Sequence, residues 1–221
     1  MYIKDIVERK KIEREDVLSQ ILDLLCSSVG SLTNPTKITN TLRSQKIDIS
    51  LNTVKTYFDY LIDAFLFQES KRYDIKGKKY FEYPNKYYIE DVGLRNARLG
   101  YRQVELSHIM ENIIYNELII RGYNVDVGII INNEKNSNGI VNKVYREIDI
   151  VANKGNKKIY VQSAFALESI EKTESEIKPF LLTKDSFLKI IVRKDIVKRW
   201  YDEKGILNIN VIDFLLDKDL F

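Results

Sequence analysis

Hydrophobic positions recur at helical spacing three times in the first third of the chain. In "DVLSQILDLLCSSVGS", Val17, Leu18, Ile21, Leu22, Leu24 and Leu25 make an apolar surface that ends near Gly30. "NPTKITNTLRSQ" opens on a helix-entry signal, Asn34 as cap and Pro35 at the first position, where the missing N–H of proline costs nothing; Ile38 and Leu42 follow four apart. In "SLNTVKTYFDYLIDAFLF", Ser50 is a cap before a stripe of Leu51, Val54, Phe58, Leu61, Ile62 and Phe65. Its opposite face carries Asn52, Thr53, Thr56, Tyr60 and Asp63, with Lys55 at the edge. The pattern then turns strand-like. In "LFQESKRYDIKGKKYFEY" two runs flank a tip at Gly77, with Lys71, Arg72, Lys76, Lys78 and Lys79 clustered around it.

Three helices followed by a basic hairpin is the order of a winged helix. In such modules the third helix enters the major groove and the wing touches phosphates. Asn52, Thr53, Lys55 and Thr56 on the helix, with Lys71, Arg72, Lys76, Lys78 and Lys79 on the hairpin, are the candidate DNA contacts. The lysines would supply the sequence-independent, salt-dependent part of the affinity. Two observations keep a second reading open. The third helix also carries Asp59 and Asp63, and winged helices serve as protein-docking modules too. "YPNKYYIEDVGLRNARLG" reads as a short strand, a turn and a short helix with Leu94 and Leu99 inward. It is taken as the joint between a unit at 1–100 and a unit at 101–221.

"LSHIMENIIYNELIIRGYNV" predicts a helix capped by Ser107 and stopped by Gly122. It is apolar nearly all round, which predicts burial on two sides. Glu111 falls among Ile114, Tyr115 and Leu118, so it is an acid on an apolar face, either paired or functional. Four strand-like runs follow, "YNVDVGIII", "YREIDIVA", "KIYVQSAF" and "FLKIIVR", with the helix "KTESEIKPFLLTK" before the last. A crossover helix makes the last pair parallel. "ILNINVIDFLLD" adds a strand and a short helix. The fold class is thus mixed α+β with α/β character: a winged helix, then a mixed sheet flanked by helices.

In "YREIDIVA", Glu147 and Asp149 alternate with Ile148 and Ile150, so the acids share one face and the isoleucines the other. In "IYVQSAF", Tyr160, Gln162 and Ala164 share a face. Pairing of these strands would set Asp149 beside Gln162, with Glu111 reaching over from its helix. Two acids and an amide oxygen are a ligand set for Mg²⁺, which activates water for phosphodiester hydrolysis. Equally, the acids can be strand residues facing solvent or an arginine, with Gln162 a satisfied polar group.

Composition narrows the field. The 35 basic residues exceed the 32 acidic ones by only three, so global charge does not argue for nucleic acid and only local clustering can. One cysteine, Cys26, excludes an intrachain disulfide and points to a reducing, cytoplasmic setting. One histidine, His108, excludes multi-histidine metal sites. The charged N-terminus does not read as a signal peptide, and no apolar run is long enough to span a membrane. No G-x-x-x-x-G-K-[ST] occurs, so no ATP hydrolysis is expected of this chain alone.

The order of motifs resembles the C-terminal half of prokaryotic AAA-family ATPases that carry a C-terminal domain of unknown function. The resemblance covers nearly the whole chain and is most specific in "YYIEDVGLRNARLG" and "MENIIYNEL". It implies an ATPase domain ahead of a winged-helix segment, then a domain similar to the restriction-endonuclease-like PD-(D/E)XK fold. On that fold's signature Glu111 is the helix acid, Asp149 the strand acid and Gln162 the third position. Ala164 stands where the family has lysine, which makes the site degenerate; Lys172 and Lys178 on the next helix are candidate substitutes. The missing P-loop makes the chain, on this resemblance, a fragment, a truncation or a member without its motor. The first expectation is a module that binds DNA or a partner protein and cleaves weakly or not at all. The alternatives are a Mg²⁺-dependent endonuclease using Glu111, Asp149 and Gln162, and a protein-interaction scaffold.

Overall fold

The computed structural model describes residues 2–102, 105–135, 139 and 141–220. The elements run α1 (Tyr2–Lys10), α2 (Glu15–Ser27), α3 (Pro35–Ser44), α4 (Leu51–Asp63), β1 (Phe67–Ser70), β2 (Arg72–Asp74), β3 (Lys79–Tyr80), β4 (Lys86–Ile89), α5 (Val92–Arg98) and α6 (Leu106–Ile120). Then follow β5 (Asn124–Lys135), β6 (Val141–Lys154), β7 (Lys157–Ala164), α7 (Ile170–Thr183), β8 (Leu188–Arg193), β9 (Trp200–Tyr201), β10 (Leu207–Asn210) and α8 (Val211–Leu216). The protein is mixed α+β, with eight helices among the described residues.

The chain divides into two compact units, Met1–Ser70 with Tyr83–Asn112, and Lys71–Glu82 with Ile113–Phe221. A single cut near residue 100 differs from this in two places. The hairpin Lys71–Glu82 belongs to the second unit, and the start of α6 belongs to the first.

In the first unit the predicted caps are in place. Asn34 Oδ1 accepts from Lys37 N at 2.7 Å, and Ser50 Oγ accepts from Thr53 N at 3.0 Å, each satisfying a donor the helix leaves open. Helices α2, α3 and α4 bury Leu18, Leu22, Leu42, Val54 and Leu61 in one core, closed by Phe67 and Tyr87 from a two-stranded antiparallel ribbon of β1 and β4. Phe58 meets Tyr87 edge-on at 5.2 Å. A bridge between Thr33 and Asn85 extends the ribbon by one more backbone segment. One element goes beyond the sequence reading and one expectation is corrected here. The charged N-terminus forms α1, which puts Ile6 into the core. Phe65 does not complete the α4 stripe. The helix ends at Asp63, Phe65 turns to φ 55°, and its side chain is 77% exposed.

The second unit is one eight-stranded sheet in the order β3-β2-β5-β6-β7-β8-β10-β9. Strands β5, β6 and β7 form an antiparallel meander; α7 then crosses over so that β8 lies parallel to β7, as the sequence order requires. The basic hairpin β2–β3 is formed but is not the wing of the first unit. It pairs parallel with β5, Arg72 opposite Val127 and Asp74 opposite Ile129, and so covers backbone groups that an edge strand would leave open. Gly77 fits its tip because a Cβ there would strike the Asp74 carboxylate, which accepts from Lys76 N and Gly77 N.

Alternation fails in β6. Between Asp126 and Gly128 of β5 the register against β6 slips from Val151 to Ile148, three residues against two, so β6 carries a bulge at Asp149–Ile150. Ile148 and Val151 consequently share the core under α7 with Tyr160, Ala164, Ile177 and Phe180, while Ile150 is buried outside that cluster. The two isoleucines therefore do not share a face, contrary to the period-two reading. Two features of α6 also differ from expectation. Ser107 lies inside its first turn rather than before it, and Ile120 is 79% exposed. Gly122 does end the segment, with φ 80°.

Candidate functional site

The bulge places Asp149 where the β6–β7 ladder stops. Pairing runs from Lys154 opposite Lys157 to Ile150 opposite Val161 and goes no further. Beyond it, side chains take over the backbone hydrogen bonds. Gln162 Oε1 accepts from Asp149 N at 2.8 Å, and Asp149 Oδ2 accepts from Ser163 N at 2.9 Å. Gln162 Nε2 then donates to Glu176 Oε2 on α7 at 2.7 Å. Asp149, Gln162 and Glu176 are thus one connected polar chain, with Gln162 only 5% exposed. The amide orientation is dictated by its neighbours, because only the oxygen can face a backbone N–H and only the nitrogen can face a carboxylate.

This chain determines what the site can do. Gln162 has its oxygen turned onto Asp149 N, which uses one of that oxygen's two lone pairs. Ala164 is 4% exposed and belongs to the apolar cluster with Tyr160, Ile177 and Phe180. Of the candidate substitute lysines, Lys178 lies 3.3 Å from Glu134, which Arg146 also holds at 2.8 Å. Lys172 is exposed and its backbone N–H is taken by Ser169 Oγ in the α7 cap. Glu134 is held below the usual carboxylate range, first by the Arg146 hydrogen bonds, against the opposing effect of desolvation. Among the described residues no group of three or more His, Cys, Asp or Glu is placed to hold a metal.

Glu111 is found in the first unit, 7% exposed as its helical position predicts. There it accepts from Lys86 Nζ at 2.9 Å and from Tyr88 hydroxyl at 2.6 Å, both on β4. The adjacent Asn112 clamps Ile89 of the same strand, accepting from its N–H at 2.9 Å and donating to its carbonyl at 2.8 Å. The structure joins Asp149 to Gln162 in the second unit and sets Glu111 against Lys86 and Tyr88 in the first.

Among the candidate DNA contacts, Asn52, Lys55 and Thr56 are exposed on α4, while Thr53 is half-buried and its Oγ1 shares a hydrogen bond with Ser50. Lys71, Lys76, Lys78 and Lys79 are exposed on the hairpin. Arg72 is half-buried, with its guanidinium 5.0 Å from the Phe81 ring, so its charge is held at the strand rather than at the tip.

Glu176 escaped the sequence reading, yet it carried the signal that singled out Glu111. It stands four residues before buried Phe180 and seven before buried Thr183, so it is an acid on a core-facing helical position.

Residues 1–105 match a family model described as a domain of unknown function, DUF8612. The chain is 36% identical over 217 residues to an uncharacterized protein of Haemophilus influenzae, covering 97% of this chain and 49% of that protein. It is 27% identical over 214 residues to an uncharacterized protein of Methanocaldococcus jannaschii, covering 96% of this chain and 44% of that protein. The chain thus spans about half the length of these curated relatives. No solved structure matches. No helix among the described residues is long and apolar enough to cross a membrane.

Proposed function

We propose that the chain is the DNA-binding half of a longer ATPase-type protein, and that its second unit is a restriction-endonuclease-like fold that has stopped cleaving. The observation that carries the loss of cleavage is the Gln162 side chain, spent between Asp149 N and Glu176. A helix, a three-stranded meander, a crossover helix and a parallel strand, with an acid at the point where the strands part, support the nuclease ancestry. Three helices, a two-stranded ribbon and the Thr33–Asn85 bridge support a winged helix in the first unit. Exposed Lys76, Lys78 and Lys79 support contact with phosphates. Relatives about twice as long leave room for an ATPase domain.

The test is binding of duplex and single-stranded DNA across a salt series, with Mg²⁺- and Mn²⁺-dependent cleavage measured on the same protein. Binding without cleavage is expected. Replacing Lys76, Lys78 and Lys79 by alanine should flatten the slope of log affinity against log salt by roughly two to three units. An unchanged slope removes the hairpin from the interface. Robust cleavage lost in Asp149→Ala overturns the inactive reading in favour of a Mg²⁺-dependent endonuclease. Losing one oriented donor such as the absent lysine costs about a hundredfold in rate, which is the deficit such an enzyme must make up.

One surface favours a protein partner as a second reading. Val197 and Leu216, 87% and 74% exposed, line the same groove, and Trp200 and Tyr201 stand exposed on edge strand β9.

A further inference from the structure

The second unit holds another polar cleft, and none of its lining residues belongs to the Asp149 network. Its volume is about 630 Å³, which is ample for a small organic ligand. Tyr73 and Tyr80 wall it, their ring centroids 5.1 Å apart and tilted by 52°. Asn124, Asp126, Asn153 and Lys158 supply its polar groups. The fold explains the assembly. Parallel pairing of β2 with β5 sets Tyr73 opposite Gly128, β3 brings Tyr80 against Tyr73, and β5 and β6 face Asn124 with Asn153.

The polar groups retain hydrogen-bonding capacity. Asp126 accepts from the Tyr80 hydroxyl at 2.9 Å through one oxygen, Oδ2, which leaves Oδ1 to the cleft. The side-chain amides of Asn124 and Asn153 make no hydrogen bond among the described residues. Two amides offer donors and acceptors together, and a carboxylate oxygen offers a further acceptor. That is the complement of a nucleobase edge. The tyrosine rings add faces on which a base can stack. The hairpin bearing those rings also bears exposed Lys71, Lys76, Lys78 and Lys79. Rings interleaved with cations on one ribbon make a platform for an unpaired strand, whose bases stack while its phosphates meet lysines. A neutral sugar would use the rings and amides but would give the lysines nothing to hold.

We propose that this cleft is a single-stranded nucleic-acid subsite. One unpaired base enters between the Tyr73–Tyr80 wall and the Asn124–Asn153 pair, and the hairpin lysines take the flanking phosphates. The inference rests on the DNA-binding reading and narrows it, because a paired base has its hydrogen-bonding edge covered.

The test is fluorescence anisotropy with labelled single strands of about twelve nucleotides, a length suited to one such platform, beside the matching duplex. Deoxyribo- and ribo-oligonucleotides run in parallel, and the tighter one names the strand. Tyr80→Ala and Asn124→Ala/Asn153→Ala should each weaken single-strand binding about tenfold, the scale of one lost base contact. Duplex affinity and the salt slope should hold, since no cation is removed. Tyr80→Phe keeps the ring and should keep most of the affinity. Unchanged circular dichroism and melting temperature show that the variants fold. Full single-strand affinity in both cleft variants, with binding lost in the lysine variant, overturns the subsite and leaves the DNA-binding reading standing. Failure of the unmodified protein to bind any strand or duplex overturns both.

Discussion

Glu111 and Asp149 are both acids that the sequence offers as metal ligands, one on an apolar helix face and one on the polar face of a strand, and the structure gives them different partners. Glu111, in the first unit, is neutralised by the ammonium of Lys86 and by the Tyr88 hydroxyl. Asp149, in the second, is held by a backbone N–H of the neighbouring strand and sits in a chain that continues through Gln162 to Glu176. The first arrangement cross-links a helix to a strand. The second replaces a stretch of β-ladder. An acid placed beside a core therefore announces that some donor must come to it, and says nothing of which donor comes.

The sharpest break in this comparison is removal of the cation. Both side chains of the Lys86–Glu111 pair are at most 9% exposed, so Lys86→Met removes an ammonium 2.9 Å from a buried carboxylate. The expected loss is roughly 3–5 kcal/mol. The double variant Lys86→Met/Glu111→Gln should recover much of it, because the Gln oxygen still accepts from Tyr88. Urea denaturation of the single and double variants checks this, and equal losses would show that the charges are not what matters.

The next effect belongs to the Asp149 chain. Gln162→Leu leaves Asp149 N–H without its acceptor and Glu176 without its amide donor. The expected loss is about 2–3 kcal/mol, less than for Lys86→Met because no buried charge loses its counter-ion. Gln162→Glu is the informative companion. It sets a second carboxylate against Glu176, so that one of them must hold a proton or a cation. Its melting temperature should fall with rising pH and recover on adding Mn²⁺. Indifference to both would mean that Glu176 turns away once the amide is gone.

Much of this was legible. The caps Asn34 and Ser50 and the stop at Gly122 follow from local rules, since a cap needs only its own next three residues. The order of meander, crossover helix and parallel strand follows from period and length. What sequence did not reveal depends on neighbours distant along the chain. The bulge at Asp149–Ile150 is invisible in "EIDIVA" because it exists only in the pairing with β5, where Val127 faces two residues. The hairpin Lys71–Glu82 reads as a local wing, and only the open edge of β5, some fifty positions later, draws it into another sheet. Glu176 was visible in principle, but Gln162 had to be seen turning toward α7 before its role was clear.

Gly128 offers a test of how firmly the bulge is set. A Cβ at this position would lie 2.6 Å from Val151 Cγ2 and 3.1 Å from Ile148 Cβ, the two side chains the bulge brings to one face. Gly128→Ala should cost about 1–3 kcal/mol through overpacking. Pairing it with Val151→Ala should return part of that. If Gly128→Ala is silent in a thermal melt, the strands have room to slide, and the position of Asp149 is not fixed by packing.

The smallest effect concerns a third acid, which sharpens the contrast because among the described residues it forms no ion pair. Asp126 accepts from the Tyr80 hydroxyl, and its carboxyl is raised above the ordinary 3.8, first by burial, with the Tyr80 hydrogen bond and the charge of Lys71 opposing. Tyr80 moves the same way, pushed up to about 12 by burial and then by that same bond, so it stays a neutral donor through the physiological range. An acid with a raised folded-state value binds its proton more tightly folded than unfolded. Its contribution to stability is fully present below the unfolded value and is lost as pH rises through the folded one. At neutral pH the unmodified protein therefore carries a partly buried carboxylate at some cost. Asp126→Asn removes that cost and keeps an oxygen for Tyr80. The melting temperature of Asp126→Asn minus that of the unmodified protein should thus grow more positive from about pH 3.5 to pH 7, by an amount worth less than about 1 kcal/mol. A difference that shrinks over the same range would mean that Lys71 outweighs burial. Asp126 would then resemble Glu111, an acid held by a cation, rather than one poised at the wall of a ligand cleft.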